Sequence, residues 1–313
     1  MTTPVTRGTR RTTYKSRSRA SAQPILVATA GEPESLGALK MAAALAAADG
    51  ATVVALGVAP PFPHDVSTLL SPRPPVSIDE RSRRDLEHVV RKSLEEIPAA
   101  HAWQVRAFTG TPADVINSAA SRWKARMIIL GLGRHGRVAR IFGRATAVEV
   151  MRGARIPVLA AHPRATGLPT RAVAALDFTG ASLSAATAAA DLLAANGTLY
   201  LAHVCAFGEA RAKRGDLVDV YRAGAQAKLD QAVAEMRKRA PRRIQGVMLT
   251  GEPGKAIVAY ATRERCDLIA LGGHRLALVD RILLGSVRTR VVSDAPCSVL
   301  IAPPDPRDAL TER

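Results

Sequence analysis

The chain has 313 residues and a formal net charge of +17, and it is 47% hydrophobic but only 4% aromatic, so its cores must rest on alanine, valine and leucine. The length allows two domains, and the composition suits globular folds. Three isolated cysteines argue against a disulfide framework or a cysteine zinc site, and no run reaches the roughly 18 apolar residues of a membrane span, so we expect a reduced, soluble, cytoplasmic protein.

Residues 1–22 form a basic arm that contains no acidic residue. No apolar stretch follows its charges, so we do not expect it to be a secretory signal. We expect a solvated, unstructured tail. The alternative is electrostatic binding to nucleic acid or another acidic surface, and such binding must weaken with salt.

The next 140 residues alternate between short apolar runs and helical patterns. "ILVATA" at 25–30 predicts a buried strand, followed by an alanine-rich helix from near Ser35 to Asp49-Gly50. "TVVALGV" is the second strand, before a proline-rich loop at 60–75. The spacing of Leu86, Val90, Leu94 and Ile97 predicts the next helix. The third strand reaches Phe108, and "MIIL" and "PVLA" are the fourth and fifth.

The second half repeats the first. "GTPADVINSAASRWKARMIILG" begins at Gly110, and "GEPGKAIVAYATRERCDLIALG" begins at Gly251, 141 positions later. Upstream, the match between Ser35 and Ser182 has an offset of 147. This pattern indicates a duplicated domain. We expect domains at 23–162 and 171–303, joined by a linker at 163–170 and followed by a tail at 304–313.

The second copy has the same element order. "AVAALD" is its first strand, and the following helix is expected to run from near Ser182 to Asn196-Gly197. "TLYLAHV", a segment reaching Leu249, "LIAL" and "SVLI" are the remaining strands. The helix between the second and third strands is indicated by apolar spacing at Val218, Tyr221, Leu229, Val233 and Met236. Alternating strands and helices predict an α/β fold with a parallel sheet covered on both faces.

The motifs together resemble the universal stress protein family, as a tandem two-domain member. The matching features are a first strand that ends in Asp, "G-x-P" before the third helix, "DLI-x-x-G", a glycine-rich turn that closes on "GS", and "APC-x-VL". The resemblance implies two doubly wound five-stranded parallel sheets of order 3-2-1-4-5, a fold similar to the adenine nucleotide alpha hydrolases. It also implies pairing through the fifth strands. Some members of the family bind ATP and others have lost the site.

The ATP-binding pattern of the family reads glycine, two residues, glycine, nine residues, glycine and then Ser or Thr. The second copy matches it except at one position. The residues that the resemblance assigns to the site are Asp177, at the adenosine-contacting position, and Gly272, His274, Arg275, Gly285, Ser286 and Val287. Ligands of doubly wound sheets bind at the carboxyl ends of the strands, and a helix beginning at Gly285-Ser286 favours phosphate. The position of a site at the carboxyl ends of the strands is therefore expected from the fold as well as from the motif.

The departure from the pattern is Arg275, which stands where the family has glycine. If the backbone there needs a positive φ, arginine costs about 1–2 kcal/mol. Its guanidinium alternatively contacts phosphate directly, since its geometry suits that ligand. A third reading is a different turn without a ligand.

The first copy is expected to have a degenerate site. Ala30 occupies the position of Asp177, and Arg144-Ala145 occupy that of Gly285-Ser286, while Gly131 is retained. "GLGRHG" is a weak glycine signal that a strand-to-helix turn also explains. An alternative ligand in this repeat is another anion, bound by the nearby basic cluster of Arg134, His135, Arg137, Arg140 and Arg144.

We therefore expect a cytosolic stress or regulatory protein whose second domain binds ATP, with magnesium, or a related nucleotide. Its first domain would be a pseudo-symmetric partner paired through "IPVLA" and "CSVLI". The alternative is a scaffold that binds other proteins and has two vestigial sites. A slow ATPase is the third hypothesis, with no positioned general base beyond Asp177. A homodimer and an unidentified protein partner are also considered. The lack of a long apolar run predicts no membrane partner, and nucleic acid is expected only through the basic arm.

Overall fold

The computed structural model describes residues 23–59, 77–132, 144–206, 215–240, 242–273 and 286–304. The expected basic arm, the proline-rich loop and the tail from residue 305 lie outside them. Strands and helices alternate along the described residues, as the periodicity predicts. The fold class is thus confirmed as α/β.

The first repeat contributes five strands and four helices from the described residues. They are β1 (Ile25–Ala28), α1 (Leu36–Asp49), β2 (Val53–Ala59), α2 (Ser77–Leu94), β3 (Gln104–Thr109), α3 (Pro112–Arg122), β4 (Met127–Gly131), α4 (Arg144–Gly153) and β5 (Val158–Ala161). α1 ends where expected, because Gly50 adopts the left-handed conformation (φ 72°) and donates its N–H to the carbonyl of Ala46. α2 ends before Ile97, which is buried as the chain enters a short 3₁₀ turn.

The second repeat has the same order of elements. They are β6 (Arg171–Ala175), α5 (Gly180–Leu192), β7 (Thr198–Cys205), α6 (Gly215–Arg239), β8 (Arg243–Thr250), α7 (Pro253–Arg263), β9 (Leu268–Gly272), α8 (Ser286–Asp294) and β10 (Ser298–Ala302). The predicted end of α5 at Asn196-Gly197 is wrong. Leu193 turns to extended backbone (ψ 143°) so that its side chain is buried, and the amide of Ala194 donates to the carbonyl of Pro169.

The ten strands of the described residues form one sheet, in the order β3-β2-β1-β4-β5-β10-β9-β6-β7-β8. Each half has the expected order 3-2-1-4-5, so the strand order within a repeat is confirmed. The expected pair of five-stranded sheets is instead one continuous ten-stranded sheet. The expected pairing through the fifth strands is confirmed, and it is what joins the two sheets: β5 and β10 pair antiparallel, with Leu300 opposite Leu159. Every other strand pair among the described residues is parallel.

The junction also joins the hydrophobic cores. Leu159 and Leu300 belong to the core on one face of the sheet, and Val158 and Val299 to the core on the other. Because successive side chains of a strand point to opposite faces, both cores pass through both repeats. The amide of His162 donates to Ser298 Oγ (3.1 Å), which extends the junction beyond β5.

We expect Gly37→Ala to lower the free energy of unfolding by about 1–3 kcal/mol, the usual cost of overpacking. A Cβ atom at this position in α1 would lie 2.2 Å from the carbonyl oxygen of His162, a backbone atom that cannot swing aside. Denaturant unfolding measures the change.

The matched control is Gly224→Ala in α6, where an added Cβ meets no atom within 4 Å. This variant should gain up to about 1 kcal/mol from helix propensity alone. If both variants were equally stable, the close approach of α1 to residue 162 would be contradicted.

The three cysteines, Cys205, Cys266 and Cys297, are all buried and free. Burial raises the pKa of Cys266 to about 12 and also raises that of Cys297. Since the thiolate is the reactive form, we expect almost no reaction with an aromatic disulfide reagent at pH 8 in the folded protein. All three thiols should react in guanidinium chloride. Rapid reaction of a native thiol would contradict this packing.

Candidate functional site

A cleft of about 340 Å³ lies in the second repeat, at the carboxyl ends of β6, β7 and β9. β6 pairs with β7 on one side and with β9 on the other, so the cleft is at the point where the direction of strand succession reverses. Its lining, called the β6/β9 cleft below, comprises Ala175, Leu176, Asp177, Ser182, Ala202, His203, Val204, Pro253, Ile257, Leu271, Gly272, Val287 and Arg288. Its walls are mostly apolar with a few polar groups, which is typical of small-molecule sites.

Asp177 lies two residues after the end of β6 and is exposed. Its Oδ1 accepts hydrogen bonds from the amide (3.1 Å) and the hydroxyl (2.6 Å) of Thr179. The same hydroxyl oxygen accepts from the amide of Ser182 and so caps the N-terminus of α5. The carboxylate is thereby oriented by the turn that starts the helix.

Phe178, next to Asp177, has a left-handed backbone with φ 64°. Such a conformation costs about 1–2 kcal/mol for a residue with a Cβ atom. Its ring stacks on that of His203 with centroids 4.5 Å apart, and Lys228 Nζ lies 5.8 Å from its centroid. These contacts offset the backbone strain and fix the turn that carries Asp177.

His203 has both ring nitrogens engaged. Nδ1 lies 2.8 Å from the carbonyl oxygen of Leu176, and Nε2 lies 3.1 Å from the hydroxyl of Tyr221. The residue is buried at the end of β7 and forms part of the cleft wall. His203 is thus a strand-end histidine that holds Leu176 and Tyr221 in place.

Gly272 lies in the cleft wall, and its lack of a side chain has a packing reason. A Cβ atom there would lie 2.7 Å from the amide nitrogen of Ser182. In the first repeat a Cβ atom on Gly131 would lie 3.1 Å from Cα of Ser35. The fourth strand of each repeat therefore approaches the start of the first helix closely at this glycine, and Gly272 alone does not indicate a ligand.

The start of α8 forms the opposite side of the cleft. Ser286 is the first residue of the helix, and Val287 and Arg288 line the β6/β9 cleft. The positive end of the α8 dipole therefore lies at the cleft. His274, Arg275 and Gly285 lie outside the described residues, so their roles remain predictions.

Arg288 adds a charge that the motif did not predict. Burial lowers the pKa of its guanidinium from the ordinary value, while the negative charge of Asp177 acts in the opposite direction. The group remains protonated near neutral pH. Sequence reasoning also missed Ser182, and the available signal for Arg288 was its place two residues after Ser286, in the first turn of the same helix.

The corresponding turn of the first repeat is closed by its own side chains. Glu32 folds back so that its Oε2 accepts from the amide of Ala30 (3.2 Å), and burial raises the pKa of this carboxyl. Gly31 has φ 85°, and an added Cβ there would lie 2.5 Å from Cγ1 of Val89. The basic cluster expected nearby lies outside the described residues except for Arg144, the first residue of α4.

Two features are absent from the described residues. No group of three or more His, Cys, Asp or Glu side chains is arranged to hold a metal ion there. None of the helices in these parts of the chain has the length and apolar character needed to cross a membrane.

Comparison with known proteins identifies the family to which the chain belongs. The model of the Universal stress protein family matches residues 22–162 and 170–303. A universal stress protein of Methanocaldococcus jannaschii is 42% identical over 59 residues, 19% of this chain and 35% of that protein. One of Thermus aquaticus is 41% identical over 59 residues, 19% of this chain and 43% of that protein. The matched segment thus spans less than half the length of either relative.

The fold is shared over a larger span. A crystal structure of a universal stress protein from Archaeoglobus fulgidus covers 92% of this chain and 98% of its own, with a TM-score of 0.61 and 16% identity. At this identity the likeness supports the fold alone.

We expect Phe178→Gly to be more stable than Phe178→Ala by about 1 kcal/mol, because only alanine keeps the left-handed backbone strain. Both variants lose the ring contacts with His203 and Lys228, so the difference isolates the backbone conformation. Denaturant unfolding of the two variants measures it.

Val220, 69% exposed within α6, provides the reverse control. There Val220→Gly should be less stable than Val220→Ala by about 1 kcal/mol, the helix propensity difference. The same order of stability at positions 178 and 220 would contradict the strained turn.

Proposed function

Since the chain belongs to the universal stress protein family, we propose that its second repeat binds ATP or a related adenine nucleotide in the β6/β9 cleft. The observation that carries the proposal is that Asp177 and the first turn of α8 line the same cleft. The two elements come from opposite ends of the repeat, and the doubly wound sheet brings them together at its switch point.

The described residues fit the three parts of a nucleotide. The apolar walls, including Ile257 and Leu271, suit a base. The carboxylate of Asp177 is an acceptor for ribose hydroxyls, in the role that the family resemblance implies. The backbone N–H groups at the start of α8, at Ser286 and Val287, suit phosphate oxygens. A bound nucleotide would place its negative charges at the positive end of the α8 dipole. Its phosphate oxygens would supply most of the ligands of a magnesium ion.

The chemistry of the cleft supports binding rather than turnover. Asp177 Oδ1 already accepts two hydrogen bonds from Thr179, and both nitrogens of His203 have partners. We therefore infer a nucleotide-responsive regulatory protein of the stress response, acting in the cytoplasm. The first repeat, with Ala30 in place of the carboxylate, would serve as the structural partner of the binding repeat.

We expect calorimetric titration with ATP and magnesium to give micromolar affinity at about one site per chain, in the middle of the usual range for small ligands. Asp177→Ala should weaken binding about tenfold or more, since hydrogen bonds to a charged group are lost. Asp230→Ala is the control. It removes the same charge from an exposed site on α6, where Asp230 accepts from Gln226, and it should bind ATP as the unaltered protein does.

No saturable heat with the unaltered protein would contradict nucleotide binding and favour the scaffold hypothesis. Titration of Arg275→Gly with ATP then distinguishes two explanations for the absence of binding. Affinity that appears only in this variant would show that arginine closes the natural site, and continued absence of binding would show that the second repeat has lost it altogether.

A further inference from the structure

Arg288 brings a second charged side chain into the β6/β9 cleft. It lies in the first turn of α8, is partly buried and lines the same cleft as Asp177. A guanidinium in a mostly apolar cleft loses hydration, and burial accordingly lowers its pKa from the ordinary value. Such a cation is costly unless negative charge lies nearby.

Asp177 supplies part of that negative charge. Its charge acts on Arg288 against the effect of burial. However, Oδ1 of this carboxylate accepts two hydrogen bonds from Thr179 and is committed to the turn that starts α5. A guanidinium carries five N–H donors in a rigid fork, more than one side of a carboxylate can satisfy. The cleft therefore has capacity for a further anion beside Arg288.

The first repeat shows that neither charge is needed to build the fold. Ala30 corresponds to Asp177 by the upstream offset, and Ala147 corresponds to Arg288 by the downstream offset. Ala147 is fully buried within α4, where its side chain packs in the core. The same strands and helices thus form with alanine at both positions. Both charges occur together only in the repeat whose switch point carries the cleft described above.

We propose that Arg288 binds a phosphate group of the nucleotide, and that it makes the cleft select phosphorylated ligands over the bare nucleoside. This inference rests on the proposed function and assigns a residue that the family pattern does not contain. Arginine binds phosphate oxygens in bidentate fashion, with charge-assisted hydrogen bonds. Asp177 balances the guanidinium in the ligand-free protein and keeps it at the cleft.

The test compares the affinities of adenosine, AMP and ATP by calorimetry in the unaltered protein and in Arg288→Gln. We expect the variant to bind AMP and ATP about tenfold or more weakly, because charge-assisted hydrogen bonds are lost. Its affinity for adenosine should change less than about twofold, within the usual effect of a surface substitution. Added salt should weaken the binding of AMP and ATP to the unaltered protein, and it should weaken their binding to Arg288→Gln less.

Arg290→Gln is the matched control. Arg290 lies two residues further along α8, is exposed, and pairs with Asp294 at 3.2 Å. Its removal takes the same charge from the same helix and should leave all three affinities unchanged. Arg288→Lys, which keeps the charge but not the bidentate fork, should fall between the unaltered protein and Arg288→Gln for AMP. It also replaces Arg288→Gln if thermal unfolding shows that the latter does not fold.

Three outcomes would overturn the role of Arg288, and the last of them would overturn the proposed function as well. If the unaltered protein binds AMP and ATP and Arg288→Gln binds them equally well, the role of Arg288 is wrong and the proposed function stands. An equal loss of adenosine and AMP in the variant would make Arg288 a structural partner of Asp177, which also overturns the inference. If the unaltered protein binds none of the three ligands, the proposed function fails and the inference fails with it.

Discussion

The antiparallel pairing of β5 with β10 is the contact on which the rest of the molecule depends. Only three residue pairs form it, with Val299, Leu300 and Ile301 opposite Ala160, Leu159 and Val158. Through them the two sheets become one, and the apolar layers on each face continue from one repeat into the other. Two sheet edges that would otherwise be open are removed, which leaves β3 and β8 as the outer strands.

Within this shared frame the two repeats keep the same backbone and differ in chemistry. The turn after the first strand is left-handed in both, at Gly31 with φ 85° and at Phe178 with φ 64°. In the first repeat glycine adopts this conformation without strain, and Val89 packs over it. In the second, an aromatic ring stacks on His203 and supports the carboxylate beside it. The fold thus specifies the turn, and the side chains that pack around it differ between the repeats.

Much of the architecture was predictable from the sequence because the apolar runs are short and the chain is duplicated. The family and the strand order within each repeat are confirmed. The end of α5 was not predictable, since Asn196-Gly197 resembles a helix stop but burial of Leu193 ends the helix at Leu192. The pairing of β5 with β10 joins Leu159 to Leu300, and it was predictable from the family resemblance, which implied pairing through the fifth strands, rather than from any local pattern.

The candidate site was predictable in part. Asp177, Gly272 and Val287 were named from the motif and lie in one cleft, whereas His274, Arg275 and Gly285 lie outside the described residues. Arg288 and Ser182 were missed because a motif records positions in the chain, while the side-chain direction depends on how a helix is set against the sheet. Gly272 also shows that one residue type can satisfy two demands, since packing against Ser182 excludes a side chain there.

The covalent link between the repeats lets the two halves differ in sequence and makes their pairing independent of protein concentration. A sheet assembled from two identical subunits would carry two identical sites and would separate on dilution. Here the connection between β5 and β6 holds the two halves at a high effective concentration, so their pairing does not depend on the concentration of the protein. Because each half has its own codons, a substitution such as alanine at position 30 alters one half alone. Duplication therefore allows one half to specialise while the other preserves the architecture.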